Sequence, residues 1–227
     1  ARADLEQSDA WGGTPLGAAA ARGFVKTVST LVLARANVHT PDSWGRRPLV
    51  MAAASGCRQT LLALLQANAE VDSPDSWGTT PLLTAARCGH LRAASTLLRA
   101  RAHVDRADNC GVTPLSAAAA WDHAGVVFSL VLAGADKDKA DHSGRTPLLA
   151  ACESSASLRA VLALLSCGAD VGRADCSGRT PWEVVAGRDD IEDFESLFAT
   201  SRTRQPLWMR RHASQRDSDS EFWDWDG

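Results

Sequence analysis

The 227 residues carry 24 Lys and Arg against 27 Asp and Glu, a formal charge of −3, with 45% hydrophobic and 22% charged residues. That balance fits an ordinary folded chain and leaves no electrostatic footprint for nucleic acid or an anionic membrane. No apolar run approaches the ~18–20 residues of a membrane helix.

The chain opens at Ala1, and its first residues lack the basic start and apolar stretch of a secretory signal. Six cysteines (Cys57, Cys88, Cys110, Cys152, Cys167 and Cys176) form no C-x-x-C pair and no zinc-finger spacing with His, so no metal or cofactor is expected. Reduced thiols place the protein inside the cell, in cytoplasm or nucleus. Residues 1–8 align with residues 34–41, which reads as the tail of a preceding unit and as a cut within a longer protein.

From Asp9 onward the sequence repeats. Asp9, Asp42, Asp75, Asp108 and Asp141 are 33 residues apart, and Asp175 follows after 34. Each is followed three residues later by Gly and three later again by Pro, from Gly12 and Pro15 to Gly178 and Pro181. Asp-x-x-Gly is a turn, because Asp bonds its own backbone and Gly accepts positive φ. Thr-Pro then starts a helix, with Thr14, Thr80, Thr113, Thr146 and Thr180 as N-caps and Pro at N1. The second unit has Arg47 there and should be capped more weakly.

A short Ala-rich helix follows, closed by Gly23, Gly56 or Gly89 as left-handed C′ residue. A second helix brings the larger apolar residues, such as Val28 and Leu31, Leu61 and Leu64, or Leu164 and Leu165. Arg35, Asn68 and Arg101 close three of these second helices where Gly134 and Gly168 close the next two. A side chain in left-handed geometry costs roughly 1 kcal/mol, so the first three units should be the less stable.

These residues, Asp-x-x-Gly-x-Thr-Pro-Leu, then Ala-Ala, Gly, Leu-Leu and Ala-Asp, resemble the ankyrin repeat over about residues 1–200. Departures include the missing His of the family's Thr-Pro-Leu-His motif, replaced by Gly17, Val50, Leu83, Ser116 and Leu149. The resemblance implies an all-α ankyrin-repeat solenoid of helix-turn-helix units joined by short β-hairpin-like turns. Its units would be 9–41, 42–74, 75–107, 108–140, 141–174 and 175–200. The sixth has Trp182 for Leu and an expected acidic and Phe-bearing helix at 191–199, as a capping unit needs.

The resemblance also implies a non-catalytic protein-binding module, likewise supported by the absence of phosphate-loop, dinucleotide, zincin or nucleophile-elbow motifs. Trp121-Asp122-His123 reads as a loop Asp in the place of the turn Gly rather than as a catalytic pair. Trp11, Trp44 and Trp77 share one position at the turn and should form an exposed ladder along one edge. The family's contact face adds Arg46, Thr79, Val112, Arg145 and Arg179 on the fingers, and Arg22, Arg87 and Trp121 at inner-helix ends. Such a face would be basic and suit a protein partner, an acidic one included, bound by a monomer without small-molecule substrate, nucleic acid or membrane. The alternative is a recognition or regulatory segment of a larger enzyme or channel, or an adaptor for a ubiquitin ligase or kinase.

Residues 201–227 lack apolar periodicity and read as a disordered tail, a basic block with Arg202 to Arg216 before an acidic one. Ser214, Ser218 and Ser220 are candidate phosphorylation sites. The acidic, aromatic stretch Asp217–Asp226 is complementary in charge to Arg22, Arg46, Arg87 and Arg145, so the tail is expected to fold back onto the groove.

Overall fold

In the computed structural model, residues 4–154 and 158–186 are described, and they form eleven α-helices without a β-strand. The inner row is α1 (Pro15–Ala21), α3 (Pro48–Ser55), α5 (Pro81–Arg87), α7 (Pro114–Ala120), α9 (Pro147–Glu153) and α11 (Pro181–Val185). The outer row is α2 (Val25–Leu33), α4 (Arg58–Gln66), α6 (Leu91–Arg99), α8 (Ala124–Leu132) and α10 (Arg159–Ser166). Each inner helix packs on the inner helices before and after it, and each outer helix does the same, giving a two-layer solenoid. The expected helix at 191–199, Arg188, the tail and its three serines lie outside the described residues.

The local chemistry is that of the repeat. Thr14, Thr80, Thr113, Thr146 and Thr180 each accept the backbone N–H of N3 through Oγ1, and Pro fills N1. Thr180 adds a capping box with Glu183. Arg47 makes no side-chain cap. Its guanidinium instead donates to the His39 carbonyl at 3.1 Å and approaches Glu70 at 3.5 Å.

Leu16, Leu49, Leu82, Leu115 and Leu148 form a fully buried column through the inner helices. Val28, Leu61, Leu64, Leu97, Leu130 and Leu164 meet it from the outer row. Small residues such as Ala20, Ala53 and Ala86 are buried between them and let neighbouring helices approach closely.

Three ladders of polar links tie the units together. At the fingers, Ser43, Ser76 and Asn109 donate their N–H to the carbonyls of Trp11, Trp44 and Trp77. After the outer helices, Glu6, Asp72, Asp105 and Asp138 accept the N–H of Asn37, His103, Asp136 and Asp170. His39 holds the equivalent place in the first unit. At the inter-helix turns, the imidazoles of His90 and His123 reach the carbonyls of Ala54 and Arg87 at 3.0 and 3.1 Å. Cys57 occupies that position one unit earlier, where its Sγ meets the Gly23 carbonyl at 3.7 Å.

Arg35, Asn68 and Arg101 are left-handed, with φ of 72°, 62° and 64°. Asp122, in the place of the turn glycine, has φ 56°. Arg35→Gly and Arg101→Gly should therefore each stabilise the array, by about 0.5–1 kcal/mol once the greater chain entropy of glycine is set against the relieved strain. Urea unfolding of the two variants checks this.

Candidate functional site

The fingers are organised by the repeat Asp. In each, the Asp N–H bonds the carbonyl four residues on, as from Asp42 to Arg46 or Asp141 to Arg145, while the third-position Gly closes back on the Asp carbonyl. Oδ1 of the same Asp accepts two further N–H groups, for Asp141 those of Ser143 at 2.9 Å and Arg145 at 3.0 Å. A carboxylate at the centre of a five-residue turn thus fixes the backbone and projects the residue two positions later outward.

That residue is Trp in the first three fingers. Trp11 and Trp77 are 63% and 55% exposed, and Trp44 is half-buried. Trp11 stacks on Trp44 with centroids 5.7 Å apart and planes at 15°. The Arg46 guanidinium lies 4.6 Å from the Trp44 ring centre, a cation–π contact. Among the described residues no ring stacks on Trp77. The ladder is thus a stacked pair with a separate third indole.

The pair also has a structural consequence. It joins the first two units, where Cys57 stands in for the turn imidazole, His39 for the loop carboxylate and Arg47 for the Thr cap.

The finger arginines differ from expectation. Arg46, Arg145 and Arg179 each donate Nε and a terminal nitrogen to Oδ2 of the Asp four residues earlier, at 2.7–2.9 Å. Glu153 at the end of α9 then bridges two of them, to Arg145 at 3.4 Å and Arg179 at 2.9 Å. These contacts hold both guanidinium pKa values above the ordinary range, with the Asp hydrogen bond the largest cause. The groove is therefore charge-balanced along its fingers rather than basic. The spacing Asp-x-x-x-Arg at 42/46, 141/145 and 175/179 was the sequence signal for this pairing.

The remaining candidates divide. Thr79 is buried and offers no contact surface. Val112 is half-buried. Arg87 is exposed and meets Asp108 of the next finger at 3.6 Å. Arg22 and Trp121 are exposed, the latter by 64%, as the C-caps of α1 and α7.

Asp175 is held below the ordinary carboxylate range, mainly by the Arg179 backbone N–H, and Glu183 by the backbone N–H of Thr180. A depressed folded-state pKa gives stability that is present above the unfolded value and lost as pH falls through the folded one. The sixth unit should accordingly melt at lower temperature in acid, and Asp175→Asn with Glu183→Gln should flatten that dependence in a series of thermal melts.

Among the described residues no three His, Cys, Asp or Glu are grouped to hold a metal ion, and no helix is long and apolar enough to cross a membrane. Burial pushes the Cys167 thiol pKa up, as for a packed core residue.

Comparison with known proteins follows the same geometry. A model of ankyrin repeats in three copies matches residues 1–75 and 63–141, and a single ankyrin repeat matches residues 143–176. The crystal structure of the human ASB11 ankyrin repeat domain superposes with a TM-score of 0.78 at 23% identity, over 87% of each chain. No curated protein matches the sequence. The stacked helix pairs, the Asp-centred fingers and these matches together place the chain in the ankyrin repeat family.

Proposed function

We propose that the array is a non-catalytic module that binds a partner protein through its finger tips and the adjoining groove, as ankyrin repeats in general do. One observation carries the reading: large indoles stand at the tips of three successive fingers, two of them more than half exposed. Burying an indole in a partner's pocket is a strong source of binding energy, and Trp is enriched among hot-spot residues. The stack of Trp11 on Trp44, with Arg46 across it, presents a rigid platform that loses little side-chain entropy on binding. Charge pairing along the fingers favours a partner that docks by apolar contact there, with Trp77 as the central anchor.

The test is quantitative proximity labelling in cells with the wild-type chain and with Trp77→Ala. A partner enriched by the first and lost with the second, at equal protein level, supports the reading. An unchanged set of labelled proteins contradicts it.

A further inference from the structure

The covering of finger carboxylates by guanidinium groups stops at the third finger. Arg46, Arg145 and Arg179 meet Oδ2 of Asp42, Asp141 and Asp175 at 2.7 Å, and all three acids are buried. Asp108 has Val112 rather than arginine four residues on, and Arg87 meets its Oδ2 at 3.6 Å instead. Asp75 differs. It is half-buried, and its Oδ1 accepts the N–H of Trp77 at 2.9 Å and of Thr79 at 2.8 Å. Among the described residues no ion pair reaches its Oδ2. Asp9 also lacks an ion pair there, but the indole of its finger is the one stacked on Trp44. The third finger therefore pairs an uncovered carboxylate with an unstacked indole.

The second finger shows what such a pair holds. Nε and a terminal nitrogen of Arg46 lie 2.8 and 2.7 Å from Asp42 Oδ2, and the guanidinium lies 4.6 Å from the Trp44 ring centre. The two turns share one backbone pattern. The Asp N–H meets the carbonyl four residues on at 3.1 Å in both, and the glycine N–H returns to the Asp carbonyl at 2.9 Å in the second finger and 3.0 Å in the third. What differs is the last residue of the turn, where Thr79 stands in place of Arg46, buried and without charge.

We infer that the third finger takes an arginine side chain of the bound partner, its guanidinium donating to Asp75 Oδ2 and lying across the Trp77 ring, as Arg46 does within the second finger. The inference rests on the reading of Trp77 as the anchor and names the chemistry that meets it.

Binding itself creates the demand for charge. Asp75 and Trp77 lie two residues apart on one turn, so a partner that buries the indole also takes water from the carboxylate. A carboxylate stripped of water is costly to bury unless a charged donor replaces that water. A guanidinium meets both needs, because its edge donates to a carboxylate through two nitrogens while its plane stacks on an indole. An ammonium offers the charge without the plane. The arginine of the preceding finger and the one that ends α5 are engaged elsewhere, Arg46 with Asp42 and Arg87 with Asp108. The partner is left to supply its own.

The probe is a random dodecapeptide phage library panned on the full chain, with Trp77→Ala as the counter-selection, so that the peptides kept are those that need the indole. Their affinities are then read by fluorescence anisotropy, with melting temperature recorded for each protein variant. The kept peptides are expected to share an arginine whose change to lysine weakens binding about fivefold and whose change to alanine weakens it at least about tenfold. Thr79→Arg, which gives the third finger a guanidinium of its own, should weaken the same peptides at least about tenfold without lowering the melting temperature. Asp75→Asn, which keeps an oxygen for the two backbone amides and removes the charge, should weaken them about tenfold. Kept peptides without arginine, lysine versions that bind equally well, or unchanged affinity for Asp75→Asn would overturn the inference and leave Trp77 as the anchor. Recovery of no Trp77-dependent peptide would overturn both readings.

Discussion

Gly89→Ala is expected to destabilise the array by about 3 kcal/mol. Gly89 closes α5's turn at φ +72°, where a side chain alone costs about 1–2 kcal/mol. An added Cβ would also stand 2.5 Å from two atoms of the His123 imidazole and 2.8 Å from its Cγ. With the ring's base as well as its tip in the way, the whole imidazole must leave, and its link to the Arg87 carbonyl goes with it. Gly168→Ala separates the two effects. Its φ is +75° and nothing lies within 4 Å, so it should cost only the backbone part, about 1 kcal/mol. Adding His123→Ala to Gly89→Ala should recover the steric portion and leave the conformational one. Urea unfolding of the wild type, Gly89→Ala, His123→Ala and the double variant gives the cycle, and equal losses for Gly89→Ala and Gly168→Ala would refute the packing argument.

Asp141→Ala should be of similar size, about 3 kcal/mol. The side chain is 3% exposed and accepts four hydrogen bonds, two from backbone N–H groups at Oδ1 and two from the Arg145 guanidinium at Oδ2. Removing it leaves the Ser143 and Arg145 amides without their acceptor and releases Arg145 from the finger. Asp141→Asn keeps an oxygen for the two backbone amides but sets an Nδ2 donor against the guanidinium, so both Arg145 side-chain hydrogen bonds are lost and at most about half of the stability should return. Thr146→Ala, which removes only the N-cap of the same unit, should cost about 1 kcal/mol. The order Asp141→Ala, Asp141→Asn, Thr146→Ala in unfolding experiments tests whether the Asp organises the finger or merely decorates it.

Much of this fold was legible because the repeat places backbone-determining residues at fixed offsets. Thr-Pro starts, left-handed Gly23, Gly56 and Gly89, and the weak cap at Arg47 all follow from local chemistry, and local chemistry is what a sequence displays. The left-handed Arg35, Asn68 and Arg101 were readable for the same reason, by alignment with Gly134 and Gly168. The candidate site was harder. Trp11, Trp44 and Trp77 occupy one sequence position, yet Arg46 and the stack on Trp11 half-bury Trp44 while Trp77 stays open. Thr79 and Arg46 also share a position, and one is buried while the other caps an indole. Equivalent positions in a solenoid see different neighbours, and it is the neighbour that decides exposure. The charge of the groove is not legible from the arginines alone, because Arg46, Arg145 and Arg179 are each paired with the Asp four residues before.

The measurement closest to the central claim is the affinity of a purified partner, identified by the labelling comparison, for the wild-type chain and for Trp77→Ala, with melting temperature recorded alongside. Trp77 is the most informative of the three indoles, since it makes no stack and its loss leaves the first two units joined. A weakening of at least about 2 kcal/mol, roughly thirtyfold in Kd, with unchanged melting is the predicted result. Unchanged affinity, or a loss of affinity matched by unfolding, would contradict the claim that the exposed fingers are the binding surface.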